Sequence, residues 1–261
     1  MNPAEHITSG GSTTELKKGK PVLELRNLYK SFGGNKVLNG FNLSLYEGEN
    51  LVVVGKSGSG KTVMIKCIVG LMEIDSGIVN VFGRNIIGMG QEEMDELRTE
   101  IGFLFQGSAL YDSMTVRENL EFPWRRHKKK MGSDINLDAM VREALESVGL
   151  AHAIDMMPAE LSGGMKRRIA LARTLILKPK IILYDEPTSG LDPITSKEII
   201  LLMLSIQKKY NTSALIITHD MDCARVISNR MVILVDGINY AEGTFDELKK
   251  VSDPKVQAFF K

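Results

Sequence analysis

Eight consecutive residues constrain this chain more than any others: Gly55-Lys56-Ser57-Gly58-Ser59-Gly60-Lys61-Thr62. They fit G-x-x-x-x-G-K-[ST] at every fixed position. The flanks decide what such a loop is. Residues 51–54, Leu-Val-Val-Val, make a continuous apolar run that reads as a strand buried on both faces. After the loop, Val63, Met64, Cys67, Ile68 and Leu71 recur with a helical period. A strand, a glycine loop and a helix in that order let backbone N–H groups converge on phosphate oxygens, backed by the positive end of the helix. Lys61 is expected to reach the β- and γ-phosphates of a nucleotide, and the Thr62 hydroxyl to bind Mg²⁺. Gly55, Ser57, Gly58, Ser59, Gly60, Lys61, Thr62 and Val63 are the candidate contacts.

The remaining pattern is α/β with one interruption. Residues 23–28 read as a strand, and Phe41, Leu43 and Leu45 alternate with polar residues as a half-buried one. Residues 101–105, 181–184, 214–218 and 231–235 read as further strands. The last of these leads into an Asp236-Gly237 hairpin turn. Between residues 111 and 160 no strand pattern occurs. There Leu137, Met140, Val141, Ala144, Leu145 and Val148 make one helical stripe. The expected organisation is a polar, disordered tail over residues 1–20, an α/β core over 21–108 and 165–261, and a helical insertion over 109–164. Asp253 and Pro254 read as the cap and first residue of the last helix.

Composition narrows the function classes. Thirty-three basic and 32 acidic residues give a net charge of +1, so no bulk electrostatic argument points to nucleic acid. Cys67 and Cys223 sit in apolar helical patterns and read as buried free thiols. The longest apolar run, residues 199–204, is far short of the ~20 residues a bilayer span needs.

Four bulky residues, 181–184, end in the pair Asp185-Glu186. Downstream of a phosphate loop, Asp185 is the expected anchor for Mg²⁺, and Glu186 is placed to activate water. Leu161-Ser162-Gly163-Gly164-Met165 lies between the loop and this pair. Phosphate loop, Leu-Ser-Gly-Gly signature and acid pair in that order resemble the nucleotide-binding subunits of ABC transporters, over nearly all of the chain from residue 23. That resemblance implies a P-loop NTPase core with a mainly parallel sheet, an antiparallel edge sheet and an inserted helical signature subdomain. It implies ATP and Mg²⁺ as ligands. It also implies that Gln106 is the Q-loop glutamine, Ser189-Gly190-Leu191-Asp192 the D-loop, His219 the switch histidine and Phe32 the aromatic that stacks on adenine, with Tyr29 a nearby competitor. On this pattern Glu186, His219, Gln106 and Lys61 are catalytic. Thr62, Gln106 and Asp185 hold the metal, and Asp192 joins the nucleotide contacts. Ser162, Gly163 and Gly164 face the nucleotide of a second subunit, because one phosphate loop and one signature complete a site only in pairs.

At the fifth signature position stands Met165, where most of the family has Gln. Residues 104–113, 160–168, 184–193 and 253–260 are similar to the MlaF group of lipid-trafficking ATPases. This resemblance implies an MlaE-like permease, an MlaD-like (MCE-type) lipid-binding partner, no nucleic acid, and a peripheral place on the cytoplasmic face of the inner membrane, with membrane contact made through the permease. An ATPase serving a small polar solute is the alternative. Leu110, Tyr111 and Met114 read equally as permease contacts or subdomain core. The basic run 125–130 reads as a solvated face rather than a lipid-binding one. A single phosphate loop and the absence of a long coiled-coil insertion argue against the soluble ABC proteins of translation or DNA repair.

Overall fold

The structure is a computed structural model, and it describes residues 7–8, 19–131 and 136–261. In chain order the first elements are β1 (Ile7–Thr8), β2 (Pro21–Phe32), β3 (Asn35–Tyr46), β4 (Asn50–Val54), α1 (Lys61–Ile68), β5 (Ser76–Val81), β6 (Arg84–Asn85), α2 (Gln91–Thr99) and β7 (Ile101–Leu104). The helical stretch follows with α3 (Val116–Met131), α4 (Leu137–Ser147) and α5 (Gly163–Leu175). The chain then runs through β8 (Ile181–Asp185), α6 (Pro193–Tyr210), β9 (Ser213–Thr218), α7 (Met221–Ile227), β10 (Arg230–Val235), β11 (Ile238–Gly243), α8 (Phe245–Lys250) and α9 (Pro254–Gln257).

Two compact units divide the chain, one formed by residues up to Met94 together with Ser213–Lys261, the other by Asp95–Thr212. In the first, every residue of β4 is buried, as its apolar run requires, and it pairs in parallel with β9 on one side and β10 on the other. β10 turns back antiparallel onto β11 through Asp236 and Gly237, both at positive φ, the conformation a two-residue hairpin needs. A second sheet, in the order β3-β2-β5-β6, is antiparallel throughout. Arg230 ties these layers together. It donates to Glu49 at 2.8 and 2.9 Å, and also to Glu242 and to the Ser44 carbonyl. Within the stretch expected to be a disordered tail, Ile7–Thr8 pairs in parallel with Ala241 and Glu242. The physical reason is the open edge of β11, whose backbone groups can take a strand from any segment that reaches them. The rest of that tail, residues 1–6 and 9–18, and positions 132–135 lie outside the described residues.

In the second unit β7 and β8 pair in parallel, and β8 is buried at all five positions. The helical stretch 109–164 lies wholly inside this unit. Its entry is organised by Asn119, which has no exposed surface. The Asn119 side chain accepts from the Tyr111 N–H at 2.8 Å and donates to the carbonyls of Tyr111, Met114 and Thr115 at 3.1, 3.0 and 3.0 Å. Asn119→Ala strips partners from buried backbone groups, so it is expected to cost about 2–3 kcal/mol. Urea denaturation reads this directly, and an unchanged midpoint contradicts it. Both cysteines are buried free thiols, and burial pushes the Cys67 thiol up to about 11.

Candidate functional site

In the first unit the phosphate loop leaves the end of β4. Val54 is paired with Thr218, so Gly55 and His219 leave neighbouring parallel strands at the same edge. His219 is exposed, and Asp220 beyond it caps α7 by accepting from the Asp222 and Cys223 N–H groups, each at 3.0 Å. The structure thus brings the loop and His219 to one rim.

The loop's shape depends on its glycines. Gly60, the N-cap of α1, has φ 101°, and a Cβ there would lie 2.7 Å from Val37 Cγ1 and 3.0 Å from the Val37 carbonyl oxygen. Gly55 has no room either, since its Cβ would meet Ser59 Oγ at 2.5 Å. That Ser59 hydroxyl is buried and has no hydrogen-bond partner among the described residues. Lys61, only 6% exposed, turns its ammonium back onto the loop and donates to the carbonyls of Gly55 at 2.6 Å and Lys56 at 3.0 Å. No side chain caps α1, and its first turn carries no acid. An orphaned hydroxyl, a buried cation and an uncapped helix end fit a phosphate. Gly60→Ala adds left-handed strain of about 1–3 kcal/mol to the clash with Val37, and is expected to weaken ATP binding at least about tenfold. Titration with a fluorescent ATP analogue tests this, and a wild-type dissociation constant defeats it.

Phe32 ends β2 beside the Gly33-Gly34 turn. Phe32 is 46% exposed, and Lys30 Nζ lies 5.3 Å from its ring centroid. The Tyr29 ring instead packs over Gly40, where a Cβ would come 2.9 Å from its hydroxyl. Tyr29 is itself 38% exposed, so both aromatics keep surface open to solvent.

The second unit holds Gln106, Asp185, Glu186, Ser162–Gly164 and Asp192. Leu104 pairs with Tyr184, so Gln106 and the acid pair also follow neighbouring parallel strands. Asp185 and Glu186 are both buried. Glu186 sits at φ 51°, a left-handed conformation that costs a non-glycine residue free energy and concentrates at functional sites. The turn it opens is closed by the Ser189 N–H donating to the Glu186 carbonyl at 3.1 Å. Gln106 Nε2 reaches Ser189 Oγ at 3.3 Å, which brings the Gln106 loop to the start of the 189–192 segment.

Ser162 caps α5 by accepting from the Met165 N–H at 3.2 Å. A Cβ on Gly164 would lie 2.8 Å from Thr195 Cγ2, so this glycine lets α5 approach the first turn of α6. Asp192 caps that turn, accepting from the Ile194 and Thr195 N–H groups at 3.0 Å each and from the Thr195 hydroxyl at 2.6 Å. The Thr195 bonds hold its carboxyl below the usual range. The structure therefore gives Asp192 a local capping duty.

Two arginines of α5 were not singled out by the sequence pattern. Arg167 donates to the Phe105 carbonyl at 2.9 Å and the Ser189 carbonyl at 3.2 Å. Arg173 donates to the carbonyls of Ala109 at 2.8 Å and Ser108 at 3.1 Å, both residues at positive φ. Burial lowers the pKa of each guanidinium. Their partners lie far off in sequence and are backbone atoms, so no local pattern announces them.

A family model described as ABC transporter matches residues 38–189. The probable ribonucleotide transport ATP-binding protein mkl of Mycobacterium leprae is 38% identical over 238 residues, covering 91% of this chain and 68% of that protein. The methionine import ATP-binding protein MetN of Campylobacter jejuni subsp. jejuni is 36% identical over 252 residues, covering 91% and 75%. Among solved structures, the dimeric ATP-binding cassette MJ0796 in a post-hydrolysis state bound to ADP and Pi matches with a TM-score of 0.77 at 30% identity, over 85% of this chain and 98% of that chain. The cbiO1 protein of Clostridium perfringens, part of the ABC transporter complex cbiONQ, matches with a TM-score of 0.79 at 27% identity, over 88% of this chain and 91% of that one.

Proposed function

The chain belongs to the ABC transporter family as an ATP-hydrolysing subunit, and from that premise we propose that it pairs with a second copy around two MgATP to drive lipid movement through a membrane permease. The phosphate loop next to His219 at one strand edge is the observation that carries the ATPase reading. Lys61, the loop amides and Ser59 hold the phosphates, and Phe32 stacks on the base. On the family resemblance, Thr62, Gln106 and Asp185 would supply the oxygen ligands that Mg²⁺ prefers, and the ion would contribute neutralisation of phosphate charge. Glu186 accepts the proton of the attacking water, and His219 donates a hydrogen bond to the γ-phosphate. Ser162 and the Gly164 amide face the nucleotide held by the other copy.

No helix among the described residues is long and apolar enough to cross a membrane. On the MlaF-like resemblance, membrane contact is made through the permease, with the chain peripheral on the cytoplasmic face of an inner membrane. The lipid cargo and an MCE-type partner rest on the MlaF-like segments and on Met165 in the signature. The names of the mkl and MetN relatives favour a second reading, uptake of a small polar solute. Tagging the chain, purifying it from native membranes in mild detergent and identifying the companions by mass spectrometry separates the two. An MlaE-like permease with an MCE-type protein and enriched phospholipid is expected. A different permease with a soluble solute-binding protein discards the lipid reading and keeps the ATPase.

A further inference from the structure

A buried guanidinium needs a reason. Arg167 is 4% exposed, yet the hydrogen bonds its side chain makes among the described residues go to two neutral carbonyls, and its Nε is buried without a partner. Burying a charge without a carboxylate to offset it is expensive, and an apolar side chain of similar length would pack there at lower cost. What arginine uniquely supplies is a rigid planar fork of donors that can hold two acceptors in a set geometry. Here the two acceptors belong to different loops. The Phe105 carbonyl immediately precedes Gln106, and the Ser189 carbonyl opens the segment leading to Asp192. The same two loops also meet through Gln106 Nε2 and Ser189 Oγ. That 3.3 Å contact is long and weak by itself.

We propose that Arg167 is a positioning residue that locks the Gln106 loop to the Ser189–Asp192 segment, so that the two loops, and the α5 helix that Ser162 caps, move as one body. Its place in sequence supports this. Arg167 lies little more than one turn from the Ser162 cap, so a displacement at the start of α5 is carried to both loops through one side chain. The left-handed Glu186 is in the same linkage, since its carbonyl accepts from the Ser189 N–H. The inference rests on the ATPase reading above and assigns the coupling of that site's parts.

The test compares Arg167→Met and Arg167→Lys in the intact complex. Methionine keeps the stem and removes both bonds. Lysine keeps the charge as a point donor without the fork. Both are expected to lower kcat for ATP hydrolysis by about ten- to 100-fold, up to the ~10²-fold that a 1 Å misplacement can cost, with KM for ATP within about twofold. Hydrogen exchange should quicken together in residues 105–109 and 189–192, a readout independent of turnover. Gln106→Ala and Arg167→Met should combine to less than the sum of their effects. Should the methionine chain fail to fold, the lysine chain carries the same expectations. Full activity in Arg167→Lys overturns the proposal, because charge alone then suffices. So does unchanged exchange in the 189–192 segment, or strict additivity with Gln106→Ala. A complex whose wild-type chain hydrolyses no ATP would instead sink the ATPase reading, which makes the two failures distinguishable.

Discussion

Glu186→Gln is expected to cut ATP turnover about 10²–10³-fold, the contribution typical of a positioned general base. ATP affinity should stay within about twofold, since the change removes a function of the transition state and leaves ground-state binding intact. The amide is nearly isosteric with the carboxylate, so packing at the end of β8 is preserved. What it loses is the capacity to accept a proton. The location makes the effect large. Glu186 follows five buried strand residues, is itself only 9% exposed, and is held in a left-handed turn that fixes its side chain's origin. Single-turnover hydrolysis alongside equilibrium binding of a labelled nucleotide separates the two effects. Turnover close to wild type would remove Glu186 from the role of base.

Ser162→Arg is the second change with a large expected effect. It replaces the N-cap of α5, whose loss costs about 1 kcal/mol, and it fills the helix end proposed to face the other copy's nucleotide. Turnover is expected to fall about 10²-fold, as when a preorganised anion-binding donor is removed, with ATP still binding at the mutant's own phosphate loop. The trans character gives a sharp check. Ser162→Arg and Lys61→Ala placed on opposite chains of a pair spoil the same site twice and leave one site working. Placed on the same chain, they spoil both sites. The opposite-chain pair should therefore be the more active, and the reverse order would show that the signature serves its own subunit.

The local elements around the glycine loop and the acid pair are legible in the amino-acid sequence. The run at 51–54 and the glycines after it specify strand, turn and helix locally, so the phosphate loop could be read residue by residue. The acid pair was legible for the same reason, because an apolar strand must end somewhere and its carboxylates emerge there. Other features depend on contacts between distant residues. Asn119 could not be picked out because its role lies in the carbonyls of a loop that has no period. Arg167 and Arg173 were hidden because their acceptors are backbone oxygens of loops outside α5, at residues 105, 108, 109 and 189. Gly164 reads as a signature residue facing the nucleotide of a second subunit, and only the methyl group of Thr195 beside it reveals a packing constraint. The pairing of Ile7–Thr8 with β11 was likewise invisible, since two residues carry no usable alternation.

The lysine of the phosphate loop has one more consequence. Its ammonium bonds to two carbonyls of its own loop, so the curvature of residues 55–61 is part of the folded chain and does not depend on what the loop later holds. The conformational entropy of shaping the loop is lost once, during folding, and is not charged again to each round of nucleotide capture. A machine that must fill and empty the same receptacle repeatedly gains from this. The recurring step becomes an exchange of partners around a pre-shaped loop, so capture should stay fast at low temperature, where a loop that had to be ordered anew would slow.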